Sequence, residues 1–263
     1  MTRIIGVTSG KGGVGKTTTS VNLATVLASL GKSVIIVDAN LSTPNVGLHL
    51  GMPLSKVTLH DVLEGSAFIT ETISIHPQTG VRVVPAGLSL DNILRTNYAK
   101  LEDAIVELLG YSDFIIVDCP AGLESGSRRV IDACDEAIIV TVPELPAVTD
   151  ALKAKKVAEV SGTHVLGIVV NRVNGISSEL SSHEIEQMIE APIIVKIPED
   201  INVHRAIATK YPVTIYAPKS RSSKEWKRLG HLIAGIEYIE EVPEETSSLK
   251  KMINRLLGKK SKR

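Results

Sequence analysis

Short runs of apolar and β-branched residues punctuate the chain, each bounded by glycine, proline or polar residues. They fall at Ile4–Val7, Val34–Val37, Val81–Val84, Phe114–Val117, Ala137–Val142, Val165–Val170 and Ile193–Ile197. Runs this brief that do not alternate with polar residues predict strands buried on both faces of a parallel sheet. Between most of them the spacing changes to that of a helix. Val21, Leu23, Ala24, Val26, Leu27 and Leu30 share one helical face, and Gly31 closes the segment. Tyr98–Leu109, Ala147–Val160 and Ser181–Ile189 predict further helices. Strand alternating with helix implies an α/β fold of three layers, a doubly wound, mostly parallel sheet flanked by helices, with right-handed crossovers.

Residues 200–240 predict a short helix, an extended piece over Tyr211–Tyr216 and a longer helix from about Lys219 to Tyr238. The composition then shifts. Glu237, Glu240, Glu241, Glu244 and Glu245 make an acidic stretch around Pro243, and residues 249–263 hold seven Lys or Arg and no acid. Without an internal repeat or low-complexity linker before that point, one domain over 1–240 and a separate tail over 241–263 are expected.

The tail has its own periodicity. Leu249, Met252, Ile253, Leu256 and Leu257 fall at i, i+3, i+4, i+7 and i+8, with Lys250, Lys251, Arg255, Lys259 and Lys260 around them. An amphipathic helix with a basic polar face predicts attachment to a membrane surface through residues 249–260. Each basic residue near an anionic leaflet contributes about 1 kcal/mol. A helix of barely three turns must also meet its ordering entropy, so one copy binds weakly. Two linked copies gain roughly 10²–10⁴-fold.

Composition narrows the class. The 29 basic and 29 acidic residues cancel, against a protein coated with positive charge for nucleic acid. The chain's two cysteines, Cys119 and Cys134, lack CxxC spacing, and the seven histidines are scattered. Thr2 leads straight into the first apolar run, and no run reaches transmembrane length. The expectation is a cytoplasmic protein that visits the inner face of the cell membrane reversibly.

The candidate chemistry lies in Ser9–Thr19, SGKGGVGKTTT, between the first strand and first helix. A glycine loop entering a helix aims backbone N–H groups and the positive end of a helix dipole at one point, which suits phosphate. Gly10, Gly12 and Gly15 satisfy the dinucleotide fingerprint, with Asp38 where its acidic ribose partner belongs. Gly10, Gly15, Lys16 and Thr17 satisfy the P-loop template as well. Lys16 supplies a point charge for β- and γ-phosphates and Thr17 a hydroxyl for Mg²⁺, neither of which NAD needs. A nucleoside triphosphate with Mg²⁺ is the expected ligand, cradled by Gly10, Lys11, Gly12, Gly13, Val14, Gly15, Lys16, Thr17 and Thr18. Asp38 and Asp118 each follow an apolar run, where α/β sheets place ligands, and join Thr17 as candidate metal groups. Cys119, Pro120, Ala121 and Gly122 predict a tight turn after Asp118.

KGGVGKTT with Lys11, VDxN at 37–40, DCPAGLES at 118–125, VVNRV at 169–173 and IPED at 197–200 together resemble the MinD/ParA family of deviant Walker A ATPases. The resemblance spans essentially the whole chain, and members that select the cell-division site are nearest in pattern. It implies that the nucleotide is ATP, and a homodimer when ATP is bound, with Lys11 reaching the nucleotide of the second subunit, in the manner of an arginine finger. It also implies adenine recognition by Asn171, Pro198 and Asp200, a division-inhibitor partner and an activating partner. The family usually carries a second Asp two residues after Asp38, thought to position the attacking water. Here that place is Asn40. An amide takes no proton but can orient water, so the reading assigns Lys11, Lys16 and Asn40 to hydrolysis, at a slow or differently assisted rate.

Two alternatives are kept and a third is set aside. A DNA-partition ATPase of the same group would use a basic helix face of Lys219, Arg221, Lys224, Lys227 and Arg228, but the amphipathic tail favours membrane, and no DNA is expected. A flagellar-number regulator would share most of these features. A metallocluster carrier needs cysteines in a CxxC, which this chain lacks.

Overall fold

A computed structural model of the chain describes residues 1–89, 98–122 and 125–240. The tail, with its expected membrane-binding face, lies outside the described residues, as do Leu123 and Glu124 of the DCPAGLES motif.

Eight strands form one sheet: β1 (Arg3–Ser9), β2 (Val34–Asp38), β3 (Ser74–Ile75), β4 (Arg82–Val84), β5 (Phe114–Ala121), β6 (Glu136–Thr141), β7 (His164–Val173) and β8 (Ile193–Pro198). Their order is β3-β4-β2-β5-β1-β6-β7-β8, parallel except where β3 pairs antiparallel with β4. All seven apolar runs became strands. Their continuity reflects two-sided burial, since Ile5, Val7, Ile35, Ile36, Ile115, Ile116, Ile138 and Ile139 have no accessible surface. Even residues of β1 and odd residues of β2 feed one side of the sheet, as Ile4, Ile35, Val37, Ile115 and Val117 pack together. Ile5, Val7, Ile36, Ile116 and Ile138 pack on the other, with the Lys16–Ser29 and Arg221–Ala234 helices. These two helices meet very closely, because a Cβ on Gly230 would stand 2.3 Å from Val26 Cγ1.

The chain winds from β1 toward β2 on one side, and later crosses to β6 on the other. β1 therefore stands at the topological switch, where the carboxyl ends of neighbouring strands leave a crevice. The loop that follows β1 occupies it.

Several expected boundaries move. The Tyr211–Tyr216 piece is not extended: Val213–Tyr216 is a single helical turn. Its Thr214 N–H and hydroxyl both donate to Oδ1 of buried Asn22, at 3.1 and 3.0 Å, a tertiary tie that overrides the β-branched composition. The last helix is shorter than Lys219–Tyr238. Ser220 caps it by accepting from Ser223 N at 3.2 Å, and left-handed Gly235 stops it. Helix is regular only over Leu101–Val106 of Tyr98–Leu109. The turn expected at Cys119–Gly122 starts later, because β5 runs on through Ala121 before Gly122 turns at φ 88°. Ladder register with β1 slips there, between Val7 and Ser9, opposite the proline that cannot donate.

Candidate functional site

The loop between β1 and the Lys16–Ser29 helix is held from several sides. Gly13 and Gly15 have φ of 78° and 102°, a region that only glycine enters at low cost. Gly15 also has no room for a side chain, since a Cβ there would stand 2.2 Å from Asn171 Nδ2. Asn171, buried at the end of β7, donates from Nδ2 to the Val14 carbonyl at 2.8 Å. Gly10 lies on the Leu145–Val160 helix, where a Cβ would meet the Asp150 carbonyl at 2.0 Å. A loop pinned in this way keeps its N–H groups pointed before any anion arrives.

Lys16 is buried, and its Nζ donates to Ser9 Oγ at 3.0 Å, while Ser9 donates to the Lys11 carbonyl at 2.7 Å. Burial pulls the Lys16 pKa down, and the Asp118 carboxylate opposes that shift. Thr17 donates to Asp118 Oδ2 at 2.6 Å and Ser20 to Oδ1 at 2.8 Å. Ser20 is a site residue that the motifs did not single out. Its position one helical turn after Lys16 and Thr17 was the available signal.

Asp38 and Asp118 stand opposite one another as register partners of β2 and β5, both fully buried. Asp38 Oδ2 accepts from Asn45 N and Val46 N, each at 3.0 Å, yet its Oδ1 is buried with no partner. Burial first, then the neighbouring Asp118 charge, pushes the Asp38 pKa up to about 8. Burial raises Asp118 to about 6 against the pull of Thr17, Ser20 and Lys16. Two carboxylates held near each other with an orphaned oxygen, beside a threonine hydroxyl, form an oxygen-donor set suited to a hard divalent cation.

Lys11, Gly12 and Gly13 are exposed and, with Val14, line a cleft of about 470 Å³ whose other wall includes Glu144, Arg172, Asn174 and Glu179. Val14 and Thr18 are themselves buried. The cleft is large enough for part of a nucleotide. Arg172, which lines this cleft, has φ 56° at an irregularity in β7. Pro198 lines an adjoining cleft with Arg221 and Lys224. The Asp200 carboxylate accepts from Asn202 N and Nδ2, each at 2.9 Å, and from Ser222 Oγ at 2.7 Å. Burial raises its pKa, but bonds from Ser222, Asn202 and Ser220 outweigh that and hold it at about 2. Asn40 is half-buried just past β2 and accepts from Thr43 Oγ1 at 3.1 Å.

Of the basic residues on the last helix, Lys224 pairs with Glu240 at 3.1 Å and Arg228 with Glu225 at 3.5 Å. Trp226 on the same helix is completely buried. Cys119 and Cys134 lie together in the core, touching the place where Gly6 has no side chain.

A pinned glycine loop, a buried lysine and a threonine–aspartate pair at the switch of a parallel sheet define a P-loop nucleotide-binding protein. A family model described as ParA, NUBPL iron-transfer P-loop NTPase, matches residues 1–234. An uncharacterized ATP-binding protein of Methanocaldococcus jannaschii is 39% identical over 239 residues, 90% of each chain. The septum site-determining protein MinD of Pyrococcus horikoshii, solved with Mg-ADP, superposes with a TM-score of 0.86 at 33% identity, covering 89% of this chain and 96% of that one. MinD in a MinC:MinD complex from Aquifex aeolicus superposes at 0.81 and 28% identity, covering 91% and 99%. The chain belongs to the ParA/MinD family of P-loop NTPases, with relatives among its cell-division ATPases.

Proposed function

We propose that this protein is a Mg²⁺-dependent ATPase that dimerises on ATP, binds the inner face of the cell membrane as a dimer, and helps to position the division site. The observation that carries the reading is the grouping of Lys16, Thr17, Asp38 and Asp118 at one sheet end, with a buried Asp38 oxygen left without a partner. That oxygen and the Thr17–Asp118 pair fit a cation carrying a nucleoside triphosphate. A bound Mg²⁺ supplies charge neutralisation for the β- and γ-phosphate oxygens.

The chain's own residues take the remaining roles. Backbone N–H groups of Gly12–Thr18 hold the phosphates, and Lys16 neutralises their charge from a dry site where that charge counts for more. Asn171 keeps the loop shaped by holding the Val14 carbonyl, and the Arg172–Asn174 segment and Pro198 border the space for the base. Asn40 orients the attacking water without accepting its proton, so turnover is slow unless a partner assists. Exposed Lys11 is free to reach a nucleotide held by a second copy. Two tails on one dimer then bind a membrane where one does not, and hydrolysis releases both.

The Mg-ADP bound to one relative and the MinC bound to another support a Mg-nucleotide ligand and a division-inhibitor partner for this chain as well. Mass by light scattering with ATP-Mg²⁺, with ADP and with a Lys11→Ala variant tests the dimer. A doubling only with ATP, lost in Lys11→Ala, is expected. Sedimentation with phosphatidylglycerol vesicles under ATP but not ADP tests the coupling; equal binding with both refutes it. DNA co-sedimentation that falls steeply with salt, without vesicle binding, favours the partition role instead.

A further inference from the structure

Tyr98 stands between the two segments that leave the carboxylate strands, and no motif in the sequence singles it out. Its ring lies on Gly126, in the first turn of the Ser125–Asp132 helix, where a Cβ would stand 2.6 Å from Tyr98 Cε2 and 3.0 Å from Cδ2. Gly126 is not among the glycines of positive φ, so the ring, rather than the backbone conformation, is what a side chain there would violate. On its other side Tyr98 packs against the buried cluster that includes Ala39 and Leu41. Burial raises the Tyr98 pKa above its ordinary value, hydrogen bonds with the Leu41 backbone and the Ser42 side chain oppose the rise, and the Asp38 charge adds to it. Bonds that lower an acid's pKa are donated to it, so the Leu41 N–H and the Ser42 hydroxyl point at the phenol oxygen. The phenol itself is neutral at pH 7.

Both contacts fall just beyond the site. Asn40 immediately precedes Leu41, and β5 leads from Asp118 through Gly122 to the helix that begins at Ser125. The β2–β5 ladder ends at the Asp38 and Asp118 pair, and Ala39 N adds one more bond by donating to the Asp118 carbonyl at 3.1 Å. Past that bond, Tyr98 bridges the two segments with a single side chain. Tyr98 is itself anchored. Its carbonyl accepts from Leu101 N at 3.2 Å, at the entry to a helix that buries Leu101, Ala104 and Ile105.

We propose that Tyr98 is a positioning residue, a brace that fixes the Asn40 segment against the helix after β5 and so sets where the attacking water is held. The consequence for hydrolysis rests on the role given to Asn40 above; the bracing does not. Misplacing a reacting group by about 1 Å costs on the order of 10²-fold in rate, so a brace at this point has leverage on turnover. Tyr98 lies outside the glycine loop, and its effect falls on the hydrolytic step rather than on nucleotide binding.

The test uses the full chain and approaches the brace from both ends. Tyr98→Phe keeps the ring and removes the hydroxyl. Gly126→Ala keeps the hydroxyl and pushes the ring aside, in a helix where alanine is otherwise favoured. Both variants should lower single-turnover ATP hydrolysis about fivefold, while ATP affinity stays within about twofold. Hydrogen exchange at Leu41 and Thr43 should quicken about fivefold in each, and Ala39, held by the Asp118 carbonyl, should stay protected. Tyr98→Phe added to Asn40→Ala should slow hydrolysis no further than Asn40→Ala alone, because Asn40 is what the brace positions. Unchanged exchange in Tyr98→Phe overturns the proposal. So do rate losses that simply multiply in the double variant, which would leave Tyr98 with a structural role only. Faster exchange at an unchanged hydrolysis rate, where Asn40→Ala is slower than the parent, overturns it as well. Equal hydrolysis by Asn40→Ala and the parent refutes the role of Asn40 instead, and exchange at Leu41 and Thr43 then decides the brace.

Discussion

Thr17 donates its hydroxyl to Asp118 Oδ2 at 2.6 Å, joining the first turn of the P-loop helix to β5 across 101 residues of sequence. With Ser20 on the other oxygen, the carboxylate is fully engaged by one helix face. Nucleotide at the loop and the segment leaving β5 therefore share one group.

Asp118→Asn keeps the shape but removes one of the two carboxylate charges available to a cation. Mg²⁺-stimulated ATP hydrolysis should fall by two or more orders of magnitude, about 3 kcal/mol of barrier. Binding of a fluorescent ADP without Mg²⁺ should change little. Single-turnover hydrolysis and a binding titration separate the two.

Asp38 gives the nucleotide-free protein a distinct pH dependence. Its folded pKa of about 8 lies above its unfolded value near 4, so unfolding releases a proton between these limits. Stability therefore falls as pH rises through this window. His49, His60 and His76, whose pKa values burial holds down, act in the opposite sense below about pH 6.5. Melting temperatures from pH 6.5 to 8 should drop in the parent chain and drop less in Asp38→Asn.

Gly10→Ala places a methyl group 2.0 Å from the Asp150 carbonyl, and backbone cannot move aside as a side chain does. The substitution should cost about 1–3 kcal/mol. It should also displace the loop, so ATP affinity falls along with the melting temperature. Gly12→Ala is the control: its nearest neighbour stands at 3.8 Å, and stability should change little.

Asn40→Asp restores a carboxylate two residues after Asp38. If Asn40 orients the attacking water, single-turnover hydrolysis should rise, on the order of tenfold or more. An unchanged or lower rate removes Asn40 from the water site.

Asn171→Ala removes the donor to the Val14 carbonyl. Nucleotide affinity should weaken about fivefold, one neutral hydrogen bond's worth, for ATP and GTP alike. A loss confined to ATP would instead identify Asn171 as a reader of adenine.

Most of this protein was legible one segment at a time. Two-sided burial writes itself as continuous apolar runs, so the seven principal strands of the sheet could be found without coordinates. Local chemistry likewise marked Lys16, Thr17, Asp38 and Asp118, because phosphate and cation binding demand those groups beside a glycine turn. Tertiary structure decided what no local period encodes. Two-residue β3 is too short to leave a pattern, and within the 211–216 piece the helical turn is tied by Thr214 to Asn22, nearly two hundred residues earlier. Neither the pairing of Asp38 with Asp118 nor the grip of Asn171 on Val14 could be read from spacing. Each depends on which strands the fold sets side by side, and that is settled by packing of the whole sheet rather than by any one stretch of chain.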